Sequence, residues 1–513
     1  MIRRGLDVKL NVKPVFLGLE HQYYYEGPCR FAKGDALAPE YEAVLAQELK
    51  TQFFKTVEDN LPKDVVNILE PLYLGCHDDW VIPEAAFEAM TENLDQIDVF
   101  MMSGGIARSG LIIELAQRTK KPIIQDPLTC CDLTAVTAAV KNRGLEIYPH
   151  LTWAGIADQM RALRVRKALK LANILCGVRF DSNVSKSGND TFISLEDVTK
   201  TFGTTFRFLN LHELLDYMTP IPEGGNYTTP GRMNTPNITP EEMKDAEKLA
   251  DELMAQAAEV EIDRDFLIKS CAAYIEVKKL LDIHDCCGFT VPCPDTCSTR
   301  RINGMEFTFC LTHSLLNEQG VPSACEYDID GVLTMLILTT LTGMPPFMGN
   351  TNPLVYENGT IRPMRRFNID DLKDVDDLTN LYHTSHSTPN RKLKCGINCD
   401  NANCEFAIRH FAYDQGFGAV LRYDFKKDKG QPITLCRISP DCKKLFVGSG
   451  EIVGGGDYDL NNCNGYVVFR VKDQEEFFKA QCYFGNHLPL VYGDFSKQLT
   501  MLGECLGLEV VRV

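Results

Sequence analysis

Short strand-like apolar runs alternate with helix-length spacers throughout the first third of this chain. The apolar runs fall at residues 15–19, 68–74, 99–102 and 122–124, and the helical patterns at 39–60, 83–94 and 111–118. Parallel strands need long crossovers, usually helices, so this alternation predicts a parallel sheet covered on both faces. Ligands of such sheets bind outside the carboxyl ends of the strands. Ser103-Gly104-Gly105 closes one strand there, although two glycines are a weak phosphate-loop signal.

The pattern then repeats. A helix at 157–171 leads into a strand at 174–180, which places a domain boundary near residue 172. A helix at 195–202, a strand at 205–209 and a Pro-, Gly-, Asn- and Thr-rich loop at 220–238 follow. Thr239-Pro240-Glu241-Glu242 opens the next helix with a cap, a first-position proline and acidic first-turn residues. That helix is expected to run to about 260 and the next to cover 263–281. Strands at 289–293 and just before Glu326, a helix at 331–342 and a strand at 346–348 complete the unit. From about 356 the chain turns β-rich, with runs at 418–423, 432–438, 444–447 and 465–471 before a last helix at 495–505. The expected class is α/β: two Rossmann-like α/β domains, 1–172 and 173–355, followed by a β-rich, barrel-like domain, 356–513.

A chain of 513 residues with 44% hydrophobic and 24% charged content has ample material for such cores. Its 53 basic and 70 acidic residues give a formal charge of −17. That argues against a nucleic-acid or anionic-membrane partner. Arg161, Arg164, Arg166, Lys167 and Lys170 form a local basic run on a helix, best suited to a solvated face or a subunit contact. No apolar run approaches the roughly 18 residues of a membrane span. The first residues carry charges without the apolar stretch of a secretory signal. Twenty cysteines in such a chain read as reduced thiols rather than a disulfide framework, so a cytoplasmic location is expected.

Four segments stand out chemically. Cys325-Glu326-Tyr327-Asp328-Ile329-Asp330 crowds three carboxylates between a strand and an apolar helix. Such crowding suits a cation or proton transfer, or, more blandly, a helix N-terminus. Pro346 to Asn352 returns the chain one helix later, so Glu326 and Asn350 can face each other at neighbouring strand ends; alone, it is an Asn turn. Tyr382-His383-Thr384-Ser385-His386-Ser387-Thr388-Pro389 offers two histidines to a metal or hydroxyl, or is a surface loop. Gly485-Asn486-His487 leads to Tyr492-Gly493-Asp494, where the histidine is a ligand or a core residue. Lesser candidates are Cys395-x3-Cys399-x4-Cys404 for zinc or iron–sulfur, the group Cys286, Cys287, Cys293 and Cys297, and the aromatic cluster His21 to Tyr25.

Taken together, Ala324 to Asp330, Pro346 to Asn350, His386-Ser387-Thr388-Pro389, Gly450-Glu451-Ile452-Val453, Gly485-Asn486-His487, Tyr492-Gly493-Asp494 and Leu506 to Val511 resemble the L-fucose isomerase and L-arabinose isomerase superfamily. The stretch 156–171 and the segment 202–215 fit as well; the resemblance is clearest from 310 onward and weak before about 90.

The resemblance implies a divalent metal, often manganese, with Mg²⁺ or Co²⁺ as alternatives, held by a Glu, an Asp and a His. It implies interconversion of an aldose and a ketose through an enediol. By motif position these ligands are Glu326, Asn350 and His487, with Glu326 and Asn350 as the catalytic pair and His386, Ser387 and Asn486 as substrate contacts. It also implies a homo-oligomer, a trimer or hexamer, acting on a small deoxy-sugar or pentose. Asn350 departs from the pattern: an amide oxygen can meet a hard cation, but it accepts no proton at neutral pH. Three routes stay open. Glu326 shuttles the proton alone; Asp328, Asp330 or His386 takes the missing role; or the chain performs a different reaction, such as epimerisation, or binds sugar without turnover.

Overall fold

The computed structural model describes residues 2–19, 22, 38–76, 84–104, 109–127, 131–179, 193–221, 236–297, 304–358, 360–362, 367–400, 404–412, 415–461 and 463–513. Gly105, His21 and Tyr23 to Tyr25, singled out in the sequence, lie outside them. The chain divides into two compact units: one is Val8–Arg164, and the other joins Val165–Val513 to the residues through Asp7. Residues 173–355 and 356–513 thus belong to one compact unit, and the long helix Trp153–Leu171 crosses the division near 164.

The Val8–Arg164 unit carries a six-stranded sheet in the order Val66–Ile68, Leu10–Leu19, Val99–Gly104, Ile123–Gln125, Ile147–Tyr148, with Leu72–Cys76 also paired to Leu10–Leu19. Every pairing in it is parallel. The apolar run at 68–74 is divided into two strands because Pro71 lacks the N–H a ladder requires. Val15, Leu17, Phe100, Met102 and Ile123 point into a core closed by Leu111 and Leu115 of the helix Ser109–Thr119.

In the larger unit, Ser323–Ala324, Gly288–Thr290, Asn173–Val178 and Thr205–Asn210 form a second parallel sheet in that order. The helix Pro240–Gln256 starts with the expected reciprocal cap: Thr239 accepts from the Glu242 backbone, and the Glu242 side chain accepts from the Thr239 backbone. It ends before the expected 260, because Glu259–Glu261 is a strand parallel to Phe406–His410. Arg409, buried on that neighbour, pairs with both Glu259 and Glu261; those charges favour the strand over another helical turn.

The C-terminal part is an eight-stranded sheet. Its order runs Thr360–Arg362, Asn350–Glu357, Leu381–Ser385, Tyr466–Arg470, Lys444–Gly456, Pro432–Ile438, Leu490–Tyr492, with Glu509–Arg512 added to Lys444–Gly456. All its pairings are antiparallel except that last one. The expected strand at 346–348 is reduced to a two-way backbone bridge. Phe347 N donates to Leu490 O at 2.9 Å and Leu490 N to Phe347 O at 2.8 Å. Ala419–Tyr423 leaves this sheet and pairs with Phe406–His410 instead. The chain is therefore of mixed α/β class, with parallel sheets and a separate antiparallel sheet. Among the described residues, no helix is long and apolar enough to cross a membrane.

Candidate functional site

Three segments far apart in sequence converge within the larger unit. Glu326 follows the short parallel strand Ser323–Ala324, at its carboxyl end. His386 follows the antiparallel strand Leu381–Ser385, and His487 precedes Leu490–Tyr492. One donor atom from each of Glu326, His386 and His487 lies within 4.8 Å of the other two, the only such group of three or more His, Cys, Asp or Glu side chains among the described residues. His386 Nε2 is 3.4 Å from Glu326 Oε1, and His487 Nε2 is 3.5 Å from Glu326 Oε2. Both histidines are buried, while the Glu326 side chain retains 20% exposure, so the carboxylate stands at the open side.

The backbone bends sharply to put it there. Glu326 and Tyr327 have φ of 62° and 55°, two successive non-glycine residues in the left-handed region. Each costs about 1–3 kcal/mol, a strain that persists only where surroundings impose it. Tyr327 N donates to Val291 O at 3.0 Å and Asp328 N to Cys325 O at 3.2 Å, which closes the turn. Asp328 then caps the helix Ile329–Thr342, its Oδ1 accepting from Gly331 N at 2.7 Å. The bland sequence reading, acidic residues at a helix start, is correct for Asp328; Glu326 stands two residues upstream and is turned away from the cap.

Asp328 has a second task. Its Oδ2 lies 2.8 Å from His487 Nδ1. Arg437, fully buried on Pro432–Ile438, donates from Nη1 to Oδ2 at 2.8 Å and from Nη2 to Oδ1 at 3.0 Å. Burial alone would raise the Asp328 carboxyl, but Arg437 and His487 outweigh it and hold it at about 2. The carboxylate is thus an acceptor, and the proton of His487 belongs on Nδ1. The Nε2 lone pair is then directed at the side of the ring facing Glu326, the arrangement that orients an imidazole for a cation. Arg437 also donates to His487 O at 2.8 Å and to Phe484 O at 2.9 Å, which fixes the backbone carrying the ring.

His386 also lies against a sulfur. Cys325 Sγ lies 3.5 Å from its Nδ1 and 3.7 Å from its Nε2. Burial opposes the imidazolium, but Cys325 and Glu326 outweigh it and raise His386 well above the usual histidine range. Burial likewise raises the Cys325 thiol, yet a hydrogen bond from Cys293 and the neighbouring His386 bring it below its ordinary value.

Asn350 is beside the group but committed elsewhere: Asn486 Nδ2 donates to its Oδ1 at 2.9 Å, and its backbone bridges His487. Gly349 lets this strand approach the next, since a Cβ there would lie 2.5 Å from Ser385 O. Ser387 is fully buried next to His386. His386, expected as a substrate contact, stands with the would-be ligands. His383 does not join it: residues three apart on an extended segment face opposite ways, and the His383 ring packs against Phe367 and Tyr466, where burial lowers it to about 4. Asp330 is also apart, 3.6 Å from Arg437 Nη2, and burial lifts its carboxyl to about 7 against the pull of that arginine. Cys395, Cys399 and Cys404 form no three-donor group, and Cys286 and Cys287 are buried.

A carboxylate with two imidazoles fits a divalent transition ion. The sequence reading missed Arg437 and the pairing of Asp328 with His487. Its one available signal was a charge within the apolar run Ile433-Thr434-Leu435-Cys436-Arg437-Ile438.

No protein-family model matches the chain. No curated protein matches it either. Among solved structures, an ABC transporter solute-binding protein from Burkholderia multivorans, with an unknown ligand built as α-D-erythrofuranose, is similar at 11% identity, over 65% of this chain and 93% of that one, with a TM-score of 0.14. At that score the similarity carries no argument about fold or ligand.

Proposed function

We propose that the chain is a divalent-metal-dependent aldose–ketose isomerase of the L-fucose isomerase-like kind, with Mn²⁺ as the ion to try first. The observation that supports this most is the convergence of Glu326, His386 and His487 at the carboxyl end of a parallel sheet. Glu326, His386 and His487 would hold the ion, which when bound supplies polarisation of the sugar's carbonyl and neighbouring hydroxyl. Glu326 moves the proton between the two carbons, because its carboxylate alone in the group is both a base and open to solvent. Asp328 and Arg437 keep His487 in one tautomer and one orientation. Asn350 and Asn486 hold each other and orient substrate hydroxyls. The Phe347–Leu490 bridge between the ends of the antiparallel sheet supports a barrel-like reading of that part, and a cytoplasmic homo-oligomer completes the proposal.

A second reading is favoured by Asn350: diverged chemistry on a carbohydrate-derived compound, where a second carboxylate is not needed. The experiment that separates them is proton exchange in D₂O over a panel of aldoses, with and without Mn²⁺, followed by NMR. Metal-dependent deuterium at C2 of the aldose or C1 of the ketose, with ketose formed, supports isomerisation. Mn²⁺ binding without exchange or ketose on any sugar overturns it in favour of the second reading.

A further inference from the structure

The sulfur beside His386 has a sulfur neighbour of its own. Cys325 directly follows the strand Ser323–Ala324, and Cys293 opens the short helix Cys293–Cys297 just beyond the neighbouring strand Gly288–Thr290. The two side chains pack together in one small apolar cluster, with Phe411 against them, and the Cys293 thiol donates to Cys325. Neither cysteine belongs to the three-donor group, and the function proposed above uses neither thiol chemically.

We propose that Cys293 and Cys325 form a thiol–disulfide modification site, closed by a peroxide-class oxidant, whose closure withdraws the sulfur packed against His386. Two thiols and one hydrogen peroxide give one disulfide and two waters. The S–S bond forms, the O–O bond breaks, both thiol hydrogens leave in water, and the sulfurs supply the two electrons. A thiol reductant reverses it. Closure draws the sulfurs from hydrogen-bond contact to about 2.05 Å. The Cys325 side chain therefore turns away from the imidazole, which it contacts at 3.5 Å. It also pulls on the residue before Glu326, whose backbone is already in the left-handed region. The partly exposed Glu326 side chain marks the side from which a small oxidant enters. The consequence for metal affinity rests on the metal-site reading above; the disulfide and its effect on His386 do not.

The test uses the full chain, reduced with dithiothreitol, desalted, exposed to hydrogen peroxide and quenched with catalase. Non-reducing peptide mass mapping reads the linkage. Ring resonances of ¹³C-histidine-labelled protein, with His386 assigned through His386→Gln, read its surroundings. Electron paramagnetic resonance reads Mn²⁺ affinity. The expected result is a peptide joining Cys293 to Cys325, a displaced His386 resonance and an affinity lower by about tenfold or more. Dithiothreitol reverses all three, and all three are absent in Cys293→Ser. Oxidation without that peptide, or with that peptide and an unmoved His386 resonance, overturns the proposal. Should the reduced protein bind no Mn²⁺, the metal reading fails by itself, while the peptide map and the His386 resonance still decide the disulfide.

Discussion

His487 Nδ1 and Asp328 Oδ2 are 2.8 Å apart inside the protein, both residues fully buried. Asp328 is simultaneously the cap of a helix, the partner of Arg437 and the anchor of the imidazole. Asp328→Asn keeps the size and removes the charge, leaving Arg437 buried beside a neutral amide. Removing one partner of such a pair costs about 3–5 kcal/mol. Loss of an imidazole's second partner lowers metal affinity by about 10- to 100-fold. Denaturant unfolding and a Mn²⁺ titration check the two effects; unchanged values in both would show that the pairing has no energetic role.

The same carboxylate sets an acid limit. Asp328 is held at about 2 in the folded chain, below the roughly 3.9 of an unfolded aspartate. Its stabilisation is therefore fully present above about pH 4 and is lost as pH falls through about 2. Asp330 has the opposite sign. Its folded carboxyl sits at about 7, so the folded state holds a proton that the unfolded state releases, and stability falls as pH rises from about 4 to about 7. Asp330→Asn removes that ionisation. Its stability relative to the parent should climb across that interval and stay level on either side. Unfolding free energies of both proteins from pH 3 to 9 test this, and a pH-independent difference would show that Asp330 does not titrate there.

Glu326→Gln tests the carboxylate of the metal group. Glutamine retains size and one weak oxygen donor but no charge and no basicity. Mn²⁺ affinity should fall by about 100-fold or more, as for loss of a ligand rather than of its support, and exchange of the sugar C–H should vanish even at saturating metal. Exchange that survives at saturating metal would assign the proton transfer to another residue, with His386 the nearest.

Asn350→Asp restores the carboxylate that the family resemblance calls for. Asn486 Nδ2 already donates to Asn350 Oδ1 at 2.9 Å, so the aspartate is received by an existing donor. If the parent is limited by a missing base, exchange should rise by about 10²-fold or more, the usual scale of a positioned base. An isomerase for which Glu326 suffices will show no gain. The deuterium-exchange rate at saturating Mn²⁺ distinguishes them.

Much of the parallel architecture was legible because short continuous apolar runs alternate with helix-length spacers in the sequence. Pro39–Asn60, Leu195–Phe202 and Pro432–Ile438 have the expected bounds. The pattern says little where pairing partners decide the structure. Glu259–Glu261 is a strand because Phe406–His410 and Arg409 lie beside it, and nothing local reveals that. At the site, Glu326 and His487 stood out as polar side chains flanked by strand and helix signals. The grouping of His386 with them, and the dependence of His487 on Asp328 and Arg437, arise from groups 50 to 159 residues apart in sequence meeting in a buried network. Sequence spacing has no means of expressing such contacts.

Gly331→Ala perturbs that network without replacing any of its three side chains. Gly331 lies in the first turn of Ile329–Thr342, and a Cβ there would lie 2.6 Å from Asp328 Oδ2. Helix propensity alone predicts a gain of about 1 kcal/mol for alanine. A free carboxylate would swing aside and let that gain appear. Asp328 cannot swing freely, because Arg437 holds both its oxygens and His487 holds the one the methyl would strike. The expected outcome is a net loss of stability together with weaker Mn²⁺ binding, the same pair of changes as Asp328→Asn but smaller. Calorimetric unfolding and a Mn²⁺ titration on this variant decide the matter. Stabilisation with unaltered metal affinity would mean that the carboxylate moves without cost and that His487 is oriented by its backbone alone.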